Sequence, residues 1–232
     1  MFDHVTIRVS ELAASRAFYT LALGDPTHES EYLEWGDFGI TAGDDVTRRL
    51  HAGFGVPDRA AVDAWWERLT AAGYESDGEP GPRPEYDETY YGAFVLDPDG
   101  NSVEAVHHDT CLQGLDHLWL RSADLAAETA FWQAVAPVVG LRVKHALPDR
   151  LTLTDGEGSF SFVPGEPTHN VHLACGVPDT AAVTEFHRVA TGAGHRDNGA
   201  PGERPWYHPG YHGAFVLDPD GHNVEAVFHD RR

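Results

Sequence analysis

Six residues of metal-binding type recur in the chain in one order. His4, His51 and Glu104 are followed by His117, His172 and Glu225, with separations of 47 and 53 residues in the first set and 55 and 53 in the second. Two imidazoles and a carboxylate delivered by three strands form one face of an octahedron around a divalent ion and leave positions open for substrate or water. Such ligands suit Zn, Fe, Mn, Ni and Co alike, so they predict a divalent metal ion without naming it. Strand alternation adds further groups. His4 shares a side with Thr6 and Arg8, and His117 with Trp119 and Arg121. Glu104 shares a side with Val106 and His108, and Glu225 with Val227 and His229. Arg8 and Arg121 are candidates for holding a substrate anion, and His108 and His229 are candidate general bases. Tyr86, Tyr90, Tyr207 and Tyr211, with Arg83 and Arg204, fall in the loops expected over the site. Tyr90 and Tyr211 are assigned there as proton donors, Tyr86 and Tyr207 as substrate contacts. Structural roles compete in every case: a strand His that is merely hydrogen-bonded, an Arg in a salt bridge, a loop Tyr that packs.

The elements that must position these groups also come twice. The nonapeptide GAFVLDPDG occurs unchanged at 92–100 and 213–221, and residues 55–109 match 176–230 at 32 of 55 positions. That match has a shift of 121 residues, whereas the amino-terminal parts align at 113, so the second copy carries eight extra residues around Pro137–Val163. A period this long indicates a duplicated domain, expected at 1–110 and 114–232. Val5–Val9 alternates like a strand, Ser10 is placed to cap a helix over Glu11–Leu23, and strands are expected at Tyr32–Trp35 and Phe38–Thr41. His51–Val56 then begins the pattern again. Pro57-Asp58 opens a helix to about Ala72, ended by Gly73. Beyond the Pro/Gly-rich stretch Gly78–Pro84, strands Tyr91–Leu96 and Ser102–His107 flank the turn Asp97-Pro98-Asp99-Gly100. The expected fold class is α+β, with four βαβββ modules in two tandem cup-shaped domains. Spacing leaves open whether each cup closes within its own copy or by exchange, which would put His4 with Glu225.

Composition excludes several classes of function. With 16 basic and 37 acidic residues the formal charge is −21, which opposes binding to nucleic acid or anionic membranes. No apolar run approaches the length of a membrane span, and the start has neither the basic nor the apolar region of a signal peptide. Two cysteines at non-equivalent places, Cys111 and Cys175, make neither a disulfide framework nor a thiolate site. A cytoplasmic protein, monomeric with paired domains or homodimeric, is expected.

The Asp-His openings, the His-led strand before the second helix and the endings DPDGNSVE and DPDGHNVE resemble the vicinal oxygen chelate superfamily. That group includes glyoxalase I, extradiol dioxygenases and bleomycin-resistance proteins. The resemblance covers both copies almost end to end. It implies paired βαβββ modules curled around a divalent metal, with the ligand positions falling on His4, His51, Glu104, His117, His172 and Glu225. It also implies a glyoxalase-like lyase, isomerase or dioxygenase acting on a small oxygen-bearing substrate through bidentate chelation and an enediolate-like intermediate. The alternative is metal-free binding and sequestration of a small toxic molecule, as in the bleomycin-resistance type. Phe94 and Phe215 stand ten residues before the ligating Glu, where extradiol enzymes carry Tyr. The strand before the second His, Phe38–Thr41 or Phe160–Phe162, offers no carboxylate as a fourth ligand.

Overall fold

The computed structural model describes residues 2–156 and 158–230. The first copy runs β1 (His4–Val9), α1 (Leu12–Leu23), β2 (His28–Glu29), β3 (Tyr32–Trp35), β4 (Phe38–Ala42), β5 (His51–Gly55), α2 (Arg59–Ala71), β6 (Ser76–Pro82), β7 (Tyr91–Leu96) and β8 (Ser102–His107). The second runs β9 (Gly114–Ser122), α3 (Leu125–Val135), β10 (Arg142–Leu147), β11 (Arg150–Thr154), β12 (Ser159–Pro164), β13 (Val171–Gly176), α4 (Thr180–Gly192), β14 (Arg196–Glu203), β15 (Tyr211–Leu217) and β16 (Asn223–His229). Strand, helix and three strands thus occur four times, and the fold is α+β with two eight-stranded mixed sheets among the described residues.

Two compact units cut across the repeat. One is Thr6–Leu120; the other joins Met1–Val5 to Arg121–Arg232. The expected division at 1–110 and 114–232 follows the repeat along the sequence, whereas each compact unit takes in the opening strand segment of the other copy. In the Thr6–Leu120 unit the strand order is β9-β5-β8-β7-β6, with β5 parallel to β8 and antiparallel to β9. The other unit has the same run, β1-β13-β16-β15-β14, in which β13 is parallel to β16 and the Asp3 N–H donates to the Ala174 carbonyl. β2–β4 and β10–β12 are antiparallel meanders.

Local sequence explains most of these elements. Asp58 caps α2, its carboxylate accepting from the Ala61 N–H, and Val62, Trp65 and Leu69 face the core at helical spacing. The cap of α1 is Glu11, which accepts from the Ala13 N–H, and not Ser10; the Ser10 N–H is taken by Asp99. The Pro/Gly-rich stretch 78–84, to which the sequence assigned no element, is mostly strand β6. Its glycines suit it to this edge. A side chain on Gly78 would strike the Phe94 ring, and one on Gly81 the Arg83 guanidinium, which lies 5.5 Å over that same ring. β14 repeats this with Gly199 under Phe215 and Gly202 under Arg204. Among the described residues no helix is long and apolar enough to cross a membrane. Both cysteines are free, and burial pushes the Cys175 thiol up to about 12.

Candidate metal centres

The six ligand-type residues fall into two trios, each inside one compact unit. His51, Glu104 and His117 form one; His4, His172 and Glu225 form the other. Of the two arrangements that spacing leaves open, closure within a copy and exchange between copies, the trios follow the exchange: the opening strand of each copy lines up beside the second module of the other copy. The trio atoms of each group lie within 4.8 Å of one another.

In the first centre, β5 and β8 run parallel with His51 opposite Ser102, and Glu104 lies two residues further along β8. His51 Nε2 is 3.0 Å from Glu104 Oε2 and 3.1 Å from His117 Nε2, and His117 Nε2 is 3.2 Å from the same Oε2. Two glycines make the approach feasible. A side chain on Gly53 would collide with the His117 ring, and one on Gly92 with the Glu104 carboxylate. The Tyr90 hydroxyl donates to Glu104 Oε1 at 2.9 Å. Burial acts to raise the Glu104 pKa, but the neighbouring His117 and His51 imidazoles prevail and hold it at about 2. Burial would lower His117, yet Asp116 and Glu104 hold it up at about 9.

The second centre repeats these relations. His172 Nε2 lies 3.1 Å from His4 Nε2 and 3.1 Å from Glu225 Oε2, and His4 Nε2 lies 3.8 Å from that oxygen. The Tyr211 hydroxyl donates to Glu225 Oε1 at 2.8 Å, and Gly213 leaves room for that carboxylate. Glu225 Oε2 is buried with no hydrogen-bond partner, at the point toward which both imidazoles turn their Nε2 atoms. A buried carboxylate oxygen left bare beside two nitrogen donors is what a divalent cation would complete. The residues fit such an ion.

Behind each ligand imidazole from an opening strand stands an aspartate that sequence reasoning passed over. His117 Nδ1 donates to Asp116 Oδ2 at 2.9 Å, and His4 Nδ1 to Asp3 Oδ1 at 2.9 Å. Both carboxyls are held below their ordinary value: burial opposes this, but the hydrogen bonds from histidines outweigh it. The repeated Asp-His dipeptide was the available signal. His108 and His229 bind these same aspartates, at 3.3 and 3.0 Å. Their remaining ring nitrogens face Thr110 at 3.3 Å and His208 at 2.8 Å. Tyr90 and Tyr211 touch the trios directly, and burial together with the glutamate charge holds both phenols well above the usual range, so they stay protonated. Tyr86 packs 5.2 Å from Tyr90, and Tyr207 4.9 Å from Tyr211. Both are exposed on one side, as is Trp206. Arg8 and Arg121 are exposed on their strands, four residues beyond His4 and His117 and so about 13 Å along the backbone.

Residues 1–105 match the family model described as Glyoxalase/Bleomycin resistance protein/Dioxygenase superfamily. The model covers the first copy, and the internal repeat carries the same sequence pattern into the second. No curated protein matches the chain. Among solved structures, glyoxalase I from Zea mays superposes with a TM-score of 0.72 at 20% identity, covering 98% of this chain and 92% of that one. A putative dioxygenase from Bacillus subtilis subsp. subtilis str. 168 gives a TM-score of 0.68 at 14% identity, covering 99% and 85%. At such identities the likeness concerns the fold.

Proposed function

We propose that the protein is a divalent-metal-dependent enzyme with two centres, His51–Glu104–His117 and His4–His172–Glu225, acting on a small substrate that presents two adjacent oxygens. The supporting observation is the convergence of two Nε2 atoms and one buried Oε2 in each centre, with Glu225 Oε2 otherwise bare. A bound ion would supply Lewis-acid polarisation of the substrate oxygens and stabilise an enediolate-like anion. The chain's own groups do the rest. Asp116 and Asp3 fix the Nδ1–H tautomer of His117 and His4, turning their Nε2 lone pairs inward. His108 and His229 hold those aspartates and are positioning residues. Tyr90 and Tyr211 keep one oxygen of each glutamate occupied, leaving the other for the ion, and are the phenols placed to deliver a proton at the centre. Arg8, Arg121, Tyr86 and Tyr207 are assigned to the distal part of the substrate.

Metal analysis of the purified protein tests this reading: about two equivalents are expected, falling to about one in His51→Ala and in His172→Ala. Acetohydroxamate, a bidentate oxygen donor, should bind the loaded protein and not the stripped one. Metal-free protein that still takes up apolar ligands, beside Tyr86 in one unit or beside Trp206 and Tyr207 in the other, would establish sequestration instead.

A further inference from the structure

The two centres differ in the atoms behind the second imidazole. In the first, His51 Nδ1 lies 3.2 Å from Ser102 Oγ, and the Ser102 hydroxyl donates to Asp77 Oδ2 at 2.7 Å. In the second, Asn223 replaces Ser102 and Asn198 replaces Asp77. Asn198 Nδ2 donates to Asn223 Oδ1 at 2.9 Å, and Asn223 Nδ2 donates to His172 Nδ1 at 2.8 Å. Each relay joins directly opposed residues of a parallel ladder, His51 with Ser102 and His172 with Asn223.

The first relay has one possible direction. Asp77 has only acceptors, so it takes the single Ser102 proton. The Ser102 oxygen is then left as an acceptor, and His51 must carry its proton on Nδ1. The lone pair on Nε2 is thereby directed at the trio. The second relay is reversible, because an amide has both donors and acceptors and turning over both asparagines reverses every hydrogen bond. In the direction the structure has, His172 Nδ1 accepts, so the proton of the neutral ring sits on Nε2, where an ion would need the lone pair.

We infer that Asp77 and Ser102 are positioning residues that preorganise the first centre, and that the Asn198–Asn223 pair makes the second centre the weaker metal site. This rests on the metal reading above. Partners behind a ligand imidazole are worth about 10- to 100-fold in metal affinity, and that is the gap expected between the centres. Removing or installing the carboxylate–hydroxyl relay should move one centre and leave the other alone.

Each centre can be read separately by titrating Co(II), followed by its visible absorbance, into His172→Ala protein (first centre only) and His51→Ala protein (second centre only). The first centre is expected to bind at least tenfold more tightly. Asp77→Asn in the His172→Ala protein should weaken it by about tenfold. Asn198→Asp with Asn223→Ser in the His51→Ala protein should tighten the second centre, a gain that a merely structural role would not produce. Equal affinities that neither exchange alters would overturn the inference and leave the metal reading standing. No Co(II) binding in either protein would overturn both.

Discussion

The Asp-Pro-Asp-Gly turn has the same sequence in both copies but rests on different side chains. In the first copy Asp97 Oδ2 accepts from the Tyr19 hydroxyl at 2.9 Å and from Asn101 Nδ2 at 3.0 Å. In the second the corresponding residues are Trp132 and His222, and Glu128 stands where Ser15 stands in the first. Asp218 Oδ2, Asp220 Oδ2, Glu128 Oε2 and His222 Nε2 are all buried there without a hydrogen-bond partner. Burial, reinforced by the Asp218 and Asp220 charges, pushes Glu128 up to about 10, and burial drives Asp218 upward as well. Burial also drives His222 down to about 3. The turn backbone is thus specified by its own residues, and the side chains behind it were free to diverge. The metal centres follow the same division: the trios match, and what lies behind His51 and His172 does not.

The sharpest break in that comparison concerns which residues make up a centre. His4→Ala combined with His51→Ala disables both centres and should leave no bound metal. His4→Ala combined with His172→Ala removes only one and should leave about one equivalent, measured by elemental analysis; the opposite pattern would restore grouping by copy. Gly53→Ala comes next. It installs the residue that the second copy carries at Ala174, and here it drives a methyl into the His117 ring. Metal affinity at the first centre should drop by about 10- to 100-fold, with the second unchanged in a Co(II) titration.

A smaller effect separates the two turns. Because the folded-state pKa of Glu128 is raised, the folded protein holds a proton that the unfolded chain releases above about pH 4.5. Stability is therefore fullest below that pH and declines as pH rises toward 10. Thermal melts should show the Tm falling from pH 5 to pH 9, and less steeply in Glu128→Gln; parallel slopes would refute the assignment. The smallest effect tests where the copies agree. Tyr90→Phe and Tyr211→Phe each remove one hydrogen bond to the ligand glutamate and should cost about 1 kcal/mol, or roughly fivefold in affinity, equally at the two centres.

Much of this was legible from residue types. Glu104 and Glu225 were readable because the same acid closes the same strand twice, and α2 because Asp58 can cap it and Gly73 stops it. β6 was not, because its glycines and prolines report on what lies over the strand, the Phe94 ring and Arg83, rather than on backbone preference. The grouping of the trios was illegible for a different reason. Spacing along a chain fixes which residues occupy equivalent strands and says nothing about which module a strand pairs with. Asp3 and Asp116 were visible as repeated letters, but their task became clear only when His229 and His108 were found on the same carboxylates.

The borrowing of opening strands also sets an order of assembly. His51 and His117 are 66 residues apart, so the first centre can close once that stretch of chain exists. His4 must meet a residue 168 positions further on. Loop-closure entropy makes the longer loop costlier by only about 0.8 kcal/mol, so the penalty in equilibrium stability is small. The consequence is one of order in synthesis: the second centre has its earliest-made ligand, His4, at the start of the chain and cannot close until β13 and β16 have been made.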